Sequence, residues 1–462
     1  MTNKKANIRF RQFWGVNKRE DLLASLENPN FDAAYEQITP IAANQFLLRP
    51  GTATADYTQW PSLPELSAIQ PLNGLMEKRG GALIDADRSA LEARIQIYLD
   101  PDKPMEDVRA VAPGLADDRA AFKAKSARRA IIGKGYDERQ LRRYWLRPFD
   151  IVWAYTDLTP SVWNRSRPDL QHVLPEATGF LISRAQGVAN PEGFPTCWTP
   201  HLTDDHGLRT DAFVWPIIEN LSGAARPNLS QKILDWLASI SIAVNAQTPS
   251  QVWHHALAIT YSPEYLTEHA DGIRQGFPRI PLPNDASLLG RSAALGAQIA
   301  ALLDPDTPVD GVTHGTIRPE LAAIAVPHGH DYALTAGWGN RTNNGVTMPG
   351  RGTSTLRPYT QAEAATANHA ALLGESTMDI HLNALSYWAN IPKQVWETHI
   401  GGYQVIKKWL SYREQSITNR PLTANEVEHV MQTARRLAAI LLLTPELNES
   451  YKTCAQAHHI PL

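Results

Sequence analysis

Basic side chains crowd one stretch of this chain. Phe122 to Phe149 reads FKAKSARRAIIGKGYDERQLRRYWLRPF. Residues 123–149 carry nine lysines and arginines (Lys123, Lys125, Arg128, Arg129, Lys134, Arg139, Arg142, Arg143, Arg147) against two acids, Asp137 and Glu138. Such a run is either a solvated basic helix or a surface that faces a polyanion. Arg165 and Arg167 follow, and the arginines of 139–167 alternate with Tyr144, Trp145, Trp153, Tyr155 and Trp163. Guanidinium groups neutralise phosphates and pair with guanine. Arg139, Arg142, Arg143, Tyr144, Arg147, Arg165 and Arg167 are therefore candidate nucleic-acid contacts. The competing reading pairs these arginines with Asp137, Asp150, Asp157 and Asp169. A second candidate is GWGNRTNNGVTMPGRG (337–352), where Arg341 and several asparagines sit on a Gly-rich segment that can enter a groove, unless it is a plain connecting loop. The third is HIGGYQVIKKWLSYRE (399–414), which offers Lys407 and Lys408.

Catalytic chemistry is not evident. The sequence has no P-loop, no G-x-S-x-G elbow, no H-E-x-x-H helix and no kinase signature set. His254-His255 and His328-Gly329-His330-Asp331 have no obvious partner set for a metal, and paired histidines commonly serve structure. NPNF (28–31) resembles the Asn-Pro-Pro-aromatic loop that grips a flipped base in amino-methyltransferases. It follows a helical segment, however, and only 27 residues precede it, too few for a cofactor-binding sheet. The nearest Gly-rich alternative, AGWGN (336–340), leads into loop residues and not into a helix. No catalytic residue, no metal site and no cofactor bound by this chain is expected. A hydrolytic or metal-dependent enzyme is the least favoured class.

The elements that must position these groups read as α+β. Residues 17–26, NKREDLLASL, have helical leucine spacing. Residues 80–101 read as a short strand or turn and then a helix, capped by Asp85 or Asp87 and stopped at Asp100-Pro101. Residues 101–121 read as an acidic linker. Apolar runs at 149–155, 179–185, 212–218 and 256–266, broken by Pro, Gly and Asp, read as strands and short helices. The chain end is helical. Thr423 and Glu426 form a capping box, Leu422 and Val427 are spaced for a hydrophobic staple, and an apolar stripe runs from Val427 to Leu441. On a helical wheel from Gly402, Tyr403, Val405, Ile406, Trp409, Leu410 and Tyr412 share one half. Gln404, Lys407, Lys408, Ser411 and Glu414 share the other, and Arg413 snorkels from the apolar side. Most of these aromatics are thus core. The expected division is 1–120 as a connecting segment, 121–375 as a mixed short-strand domain and 376–462 as a helical C-terminal part.

Bulk properties narrow the class. The chain has 462 residues, 43% hydrophobic and 20% charged, with net charge −3, so two or three globular domains are expected and overall charge names no partner. Cys197 and Cys454 cannot build a disulfide framework or a cysteine zinc site, which fits a reducing compartment. The N-terminus MTNKKANIRF is no secretory signal, and the longest apolar run, LAAILLL at 437–443, is too short to span a bilayer. A cytoplasmic protein without membrane contact is expected. The 33 prolines imply many short elements, and the 13 tryptophans serve as core anchors or stacking platforms.

Several segments, in order, resemble one family. They are FWGVNKREDLLASL, WPSLPELSAI, NGLMEKRGGALIDADRSALEARIQIYLDP, YWLRPFDIVWAY, SPEYL followed by FPRIPLP, and HIGGYQVIKKWLSYRE followed by RPLT. Together they look like the C-terminal, target-recognition part of Type ISP-like and related single-chain restriction–modification enzymes, which are large DNA adenine-N6 methyltransferases. The resemblance runs from about Ile8 to the end of the chain. It implies sequence-specific recognition of double-stranded DNA in a prokaryotic phage-defence system. It also implies that S-adenosylmethionine and the Asn-Pro-Pro-aromatic loop sit on a methyltransferase subunit or domain, because Met1 falls where the catalytic domain would already have ended: either the enzyme is split between two genes or this sequence is part of a longer system. The alternative is a protein-interaction scaffold in a defence complex that no longer reads sequence.

Overall fold

The computed structural model describes residues 6–13, 17–27, 33–40, 46, 48, 53–175, 177–187, 191–209, 211–342, 347–366 and 370–458. The NPNF motif at 28–31 lies outside the described residues. The architecture is α+β, with 40% helix and 20% strand in small open sheets.

The first four-stranded sheet carries the arginine-rich segment. Its order is Ile84–Asp85, Asp150–Tyr155, Leu141–Arg147, Leu202–Thr203. The middle pair is antiparallel, and Leu202–Thr203 adds in parallel at Tyr144 and Trp145. Helix Arg88–Leu99 packs on this sheet, with Asp87 accepting from Ser89 N and Ala90 N at 2.8 and 3.3 Å. That choice between Asp85 and Asp87 could not be made from spacing. The stop at Asp100 is as expected.

The basic run is not one helix. It is a short helix, Ala124–Ile132, followed by the strand Leu141–Arg147. Arg128 on that helix is buried and donates to the carbonyls of Tyr98, Asp100 and Lys103 at 2.8, 2.6 and 2.8 Å. One of the nine charges therefore closes a helix end instead of meeting solvent. The presumed linker 101–121 holds two short helices, Met105–Val111 and Pro113–Ala116.

A second sheet orders Leu72–Asn73, Phe213–Pro216, Phe180–Ser183, Thr196–Thr199. Its strands match the apolar runs at 179–185 and 212–218. The run 256–266 is helical: it divides between Thr248–Thr260 and Pro263–Glu268. Helix Thr248–Thr260 packs on Ala286–Leu303. A Cβ at Gly296 would lie 1.8 Å from the His254 carbonyl oxygen, so glycine sets this close approach. Ala286–Leu303 is long and apolar enough to cross a bilayer by composition, at mean hydropathy 1.3. Here it is a core helix, also packed against Ala424–Leu442 and Thr444–Gln456.

The third sheet orders Val326–His328, Tyr387–Pro392, Ser376–His381, Ser354–Pro358. Two of its strands fall within 376–462, so that part is not purely helical. The expected capping box is present: Thr423 accepts from Glu426 N at 3.2 Å and Glu426 accepts from Thr423 N at 2.9 Å. Leu422 and Val427 are both buried. Two apolar cores result. One joins Leu75 and Leu91 with Tyr144, Trp163 and Val214. The other joins Trp60 with Trp253, Trp388 and Leu437. Neither core follows the borders at 120 and 375.

Candidate nucleic-acid interface

The strand Leu141–Arg147 gives its arginines different surroundings, and its pairing shifts register between Trp145 and Arg147. Arg143 lies half-buried. It clamps Asp306 with two bonds of 2.6 Å and faces the Trp153 ring at 5.1 Å. Arg147 is nearly buried, 3.8 Å from Asp150 and 3.9 Å from the Tyr412 ring centroid. On the opposite face Tyr144 is fully buried and donates its hydroxyl to Asp204 at 2.7 Å. Burial and that carboxylate push the phenol well above its ordinary pKa. Tyr144 is thus a core residue and not a contact residue. Arg142 is half-buried, and its Nε has no hydrogen-bond partner among the described residues. Arg139 stands in solvent beside Asp137, 2.9 Å away.

The competing ion-pair reading is right in kind but names half the partners. Asp137 holds Arg139 and Asp150 holds Arg147, as spacing suggested. Asp157 pairs with Lys134 instead of an arginine. Arg143 and Arg167 find Asp306 and Asp205, which are distant in sequence. Of the five interleaved aromatics, Tyr144, Trp145, Tyr155 and Trp163 are buried. Trp153 alone is partly open, and it lies between the guanidinium groups of Arg88 and Arg143 at 5.3 and 5.1 Å.

The segment 399–414 meets the far end of that strand. Its helix is short, Val405–Leu410, preceded by a tight pair of strands, His399–Ile400 and Tyr403–Gln404. Lys408 Nζ lies 5.0 Å from the Tyr403 ring and 4.7 Å from the Tyr412 ring. Arg147, Lys408, Tyr403 and Tyr412 therefore form one cluster. Burial, with Arg147 adding to it, lowers the Lys408 pKa. Burial alone would raise that of Tyr412, but Arg147 and Lys408 outweigh it and lower the phenol's value. Lys407 is half-exposed, and its ammonium has no partner among the described residues.

Three expectations for this segment change. Arg413 does not snorkel: it is buried, stacked 4.3 Å over Trp409 and bonded to Asp150 at 2.6 and 3.2 Å. Ser411 is fully buried. Glu414 is buried as well, and it accepts the backbone N–H groups of Gly337, Trp338 and Gly339 at 3.0, 2.8 and 3.3 Å. The helical wheel failed because the helix covers six residues only and the chain turns at both ends.

Those three N–H groups open the Gly-rich segment. It is a β-hairpin and not a plain loop: Gly339–Arg341 pairs with Thr347–Pro349. Residues 343–346 lie outside the described residues. Arg341 is exposed on the first strand, and Arg351, which sequence reasoning passed over, is exposed just after the second. Neither guanidinium has a partner among the described residues.

Arg165 and Arg167 line a cavity of about 440 Å³ together with Asn73, Ser161, Asn164 and Asp169. Arg165 is exposed, while its backbone is held by bonds of 2.9 and 3.0 Å with Met76. Arg167 is anchored to the Gly74 carbonyl and to Asp205, both at 3.0 Å.

The suspected metal histidines are otherwise engaged. His255 is buried between Ser292 Oγ at 2.7 Å and the Pro281 carbonyl at 2.9 Å, and His254 packs on Trp198. Among the described residues one group has metal-like spacing, His201, Asp304 and Asp306. Arg143 already neutralises Asp306, and Asp304 accepts from Asp306 N and the Thr307 hydroxyl. Burial would raise the Asp306 pKa, but His201 and Arg143 hold it far below the usual range.

Within the three candidate segments, free or anchored cations thus lie at the Arg147–Lys408 cluster with Lys407, at the hairpin, and at the Arg165 cavity. Comparison with known proteins bears on what they serve. A comparison with curated proteins finds no match. Three solved structures share the fold. A nuclease-deletion mutant of the Type ISP restriction–modification enzyme LlaGI in complex with a DNA substrate mimic matches at TM-score 0.53 and 13% identity, over 96% of this chain and 38% of that one. The ATP-dependent Type ISP enzyme LlaBIII bound to DNA matches at TM-score 0.54 and 12% identity, over 91% and 25%. The DrdV–DNA complex matches at TM-score 0.58 and 14% identity, over 96% and 43%. The chain spans less than half the length of each of these. A family model described as the Type ISP C-terminal specificity domain matches residues 70–439, and the chain belongs to that family.

Proposed function

We propose that this chain recognises a specific site in double-stranded DNA for an adenine-N6 methylation and restriction system in a prokaryotic cytoplasm. The observation that carries the reading is the specificity-domain match over residues 70–439. The DNA complexes of the similar enzymes agree with it in kind. In this reading Arg165, Arg341, Arg351, Lys407 and Lys408 grip phosphates, with Arg147 and Arg167 bracing their surroundings. Phosphate contacts fix register and orientation, while base edges supply specificity. Methyl transfer requires a catalytic domain or subunit that binds S-adenosylmethionine and receives the flipped adenine.

The test is reconstitution. The chain is mixed with its catalytic partner, S-adenosylmethionine and a plasmid, and methylated adenines are mapped. Methylation confined to one recurring sequence, and dependent on this chain, is expected. Methylation by the purified chain alone, or methylation that ignores sequence when the chain is present, contradicts the proposal.

A further inference from the structure

The third sheet has one covered face and one open face. Ile380 and Trp388 point into the core, and Trp388 Nε1 donates to the Val427 carbonyl at 3.0 Å. The open face carries a row of polar rings. His328 pairs in register with Tyr387, and Tyr387 with His381, so all three side chains stand on one side of the sheet. The His328 and Tyr387 rings stack at 5.0 Å with 7° between their planes. His381 leans on the other side of Tyr387 at 5.4 Å, and its Nε2 hydrogen-bonds the Thr355 hydroxyl at 3.2 Å on the edge strand. The row thus crosses all four strands.

Its surroundings are built, not loose. Asn383 ties the Asp331 and Ala333 carbonyls at 3.0 and 2.8 Å and accepts from Leu385 N and Ser386 N. That locked turn holds up Leu385, an aliphatic side chain 74% exposed. Trp338, at the base of the Gly339–Pro349 hairpin, donates its indole N–H to the His381 carbonyl at 2.8 Å. The sheet that carries the ring row and the base of the hairpin with Arg341 are thus joined directly. Asp379 within the sheet and Glu363 on the adjoining helix Gln361–Thr366 are both held by Arg357. Asp331 is turned onto its own loop, accepting from Ala333 N at 3.0 Å.

We infer that the row His328–Tyr387–His381–Thr355, with Leu385, reads base edges in the major groove of the target duplex. The inference rests on the DNA-recognition reading above and names the part of the surface that supplies sequence selectivity. The major groove presents ring-nitrogen and carbonyl acceptors, amino donors and the thymine methyl. Imidazole and hydroxyl groups offer matching donors and acceptors, and Leu385 offers the apolar contact. Stacking on Tyr387 fixes the rings, so little side-chain freedom is lost on binding. The partner is a duplex and not a protein groove, because Arg341 on the adjoining hairpin and Arg351 just after it have no partner among the described residues, and Asp379 within the sheet is neutralised.

The test is selection of binding sites from a randomised duplex library by the full chain, wild type and the double variant H328A/H381A. Both are first compared by thermal melting, and the milder H328N/H381N pair replaces the alanines if melting shifts. The expected result is an enriched motif for wild type. The double variant should lose discrimination at two or more positions of it by roughly tenfold each, with low-salt affinity for arbitrary DNA within about twofold of wild type. If wild type enriches a motif and both double variants enrich the same motif equally well, this inference is overturned while DNA recognition stands. If wild type enriches nothing, the recognition reading itself fails, and this inference falls with it.

Discussion

Arg413 binds Asp150 across a separation of 263 residues, with N–O distances of 2.6 and 3.2 Å and both side chains buried. The bond ties the 399–414 segment to the turn of the arginine strand. Burial alone would raise the Asp150 carboxyl, but Arg413 and Arg147 outweigh it and hold it below its ordinary value. Removing one partner leaves the other charge buried and unpaired, which costs about 3–5 kcal/mol. D150N should therefore lower stability by an amount of that order, measured by urea unfolding. A loss under about 1 kcal/mol would show that the pair is not an interior tie.

The same pair sets a pH dependence. The folded pKa of Asp150 lies below the unfolded value, about 3.9, so its stabilisation is complete above that value and is lost as pH falls through the folded pKa. Wild type should lose stability on acidification below about pH 4 more steeply than D150N. Circular dichroism across an acid titration checks this. Parallel acid limbs would mean that Asp150 does not titrate differently in the two states.

Glu414 anchors the hairpin through the three N–H groups of Gly337, Trp338 and Gly339. Hydrogen bonds to a charged acceptor contribute roughly 1.5–3 kcal/mol each when a partner is removed, though not additively. E414A should raise hydrogen exchange and protease cutting between 337 and 352 before it affects the first sheet. Uniform loosening of the whole chain would instead make Glu414 a global core residue.

Lys407 and Lys408 differ in surroundings, and variants should separate them. K407A should leave melting unchanged and reduce the slope of log affinity against log salt by about one. K408A should also lower the melting temperature, since Lys408 packs between Tyr403 and Tyr412. Identical behaviour of the two variants in both assays would contradict the distinction.

His201, Asp304 and Asp306 have spacing suited to a cation, yet Arg143 occupies Asp306 with two 2.6 Å bonds. Chelator should leave both melting and DNA affinity unchanged, and R143A should destabilise through the orphaned carboxylate. A melting shift of several degrees on adding zinc or removing metal would show that the guanidinium does not fill the site.

Local signals were legible in the sequence, and long-range ones were not. The Thr423–Glu426 box, the helix stop at Asp100 and the strands near 150–155, 180–183 and 213–216 follow from capping chemistry and apolar runs. The apolar run 256–266 left strand and short helix open, because a buried helix and a buried strand look alike over so short a span, and it is helical. The arginines were found, but their roles hang on partners far along the chain: Asp306 for Arg143, Tyr412 for Arg147, Asp205 for Arg167. Spacing cannot show such pairs. The histidine–tyrosine row was equally hidden, since its members come from three strands and meet only through register.

The central claim is specific recognition of duplex DNA, and equilibrium binding tests it most directly. Affinity of the full chain is measured by fluorescence anisotropy for its preferred duplex and for a scrambled duplex of equal composition, across a salt series. The account predicts a preference of about 10³-fold or more near physiological salt, with affinity for both duplexes falling steeply as salt rises. Equal affinity for the two duplexes at every salt concentration, or no binding to either, would contradict it.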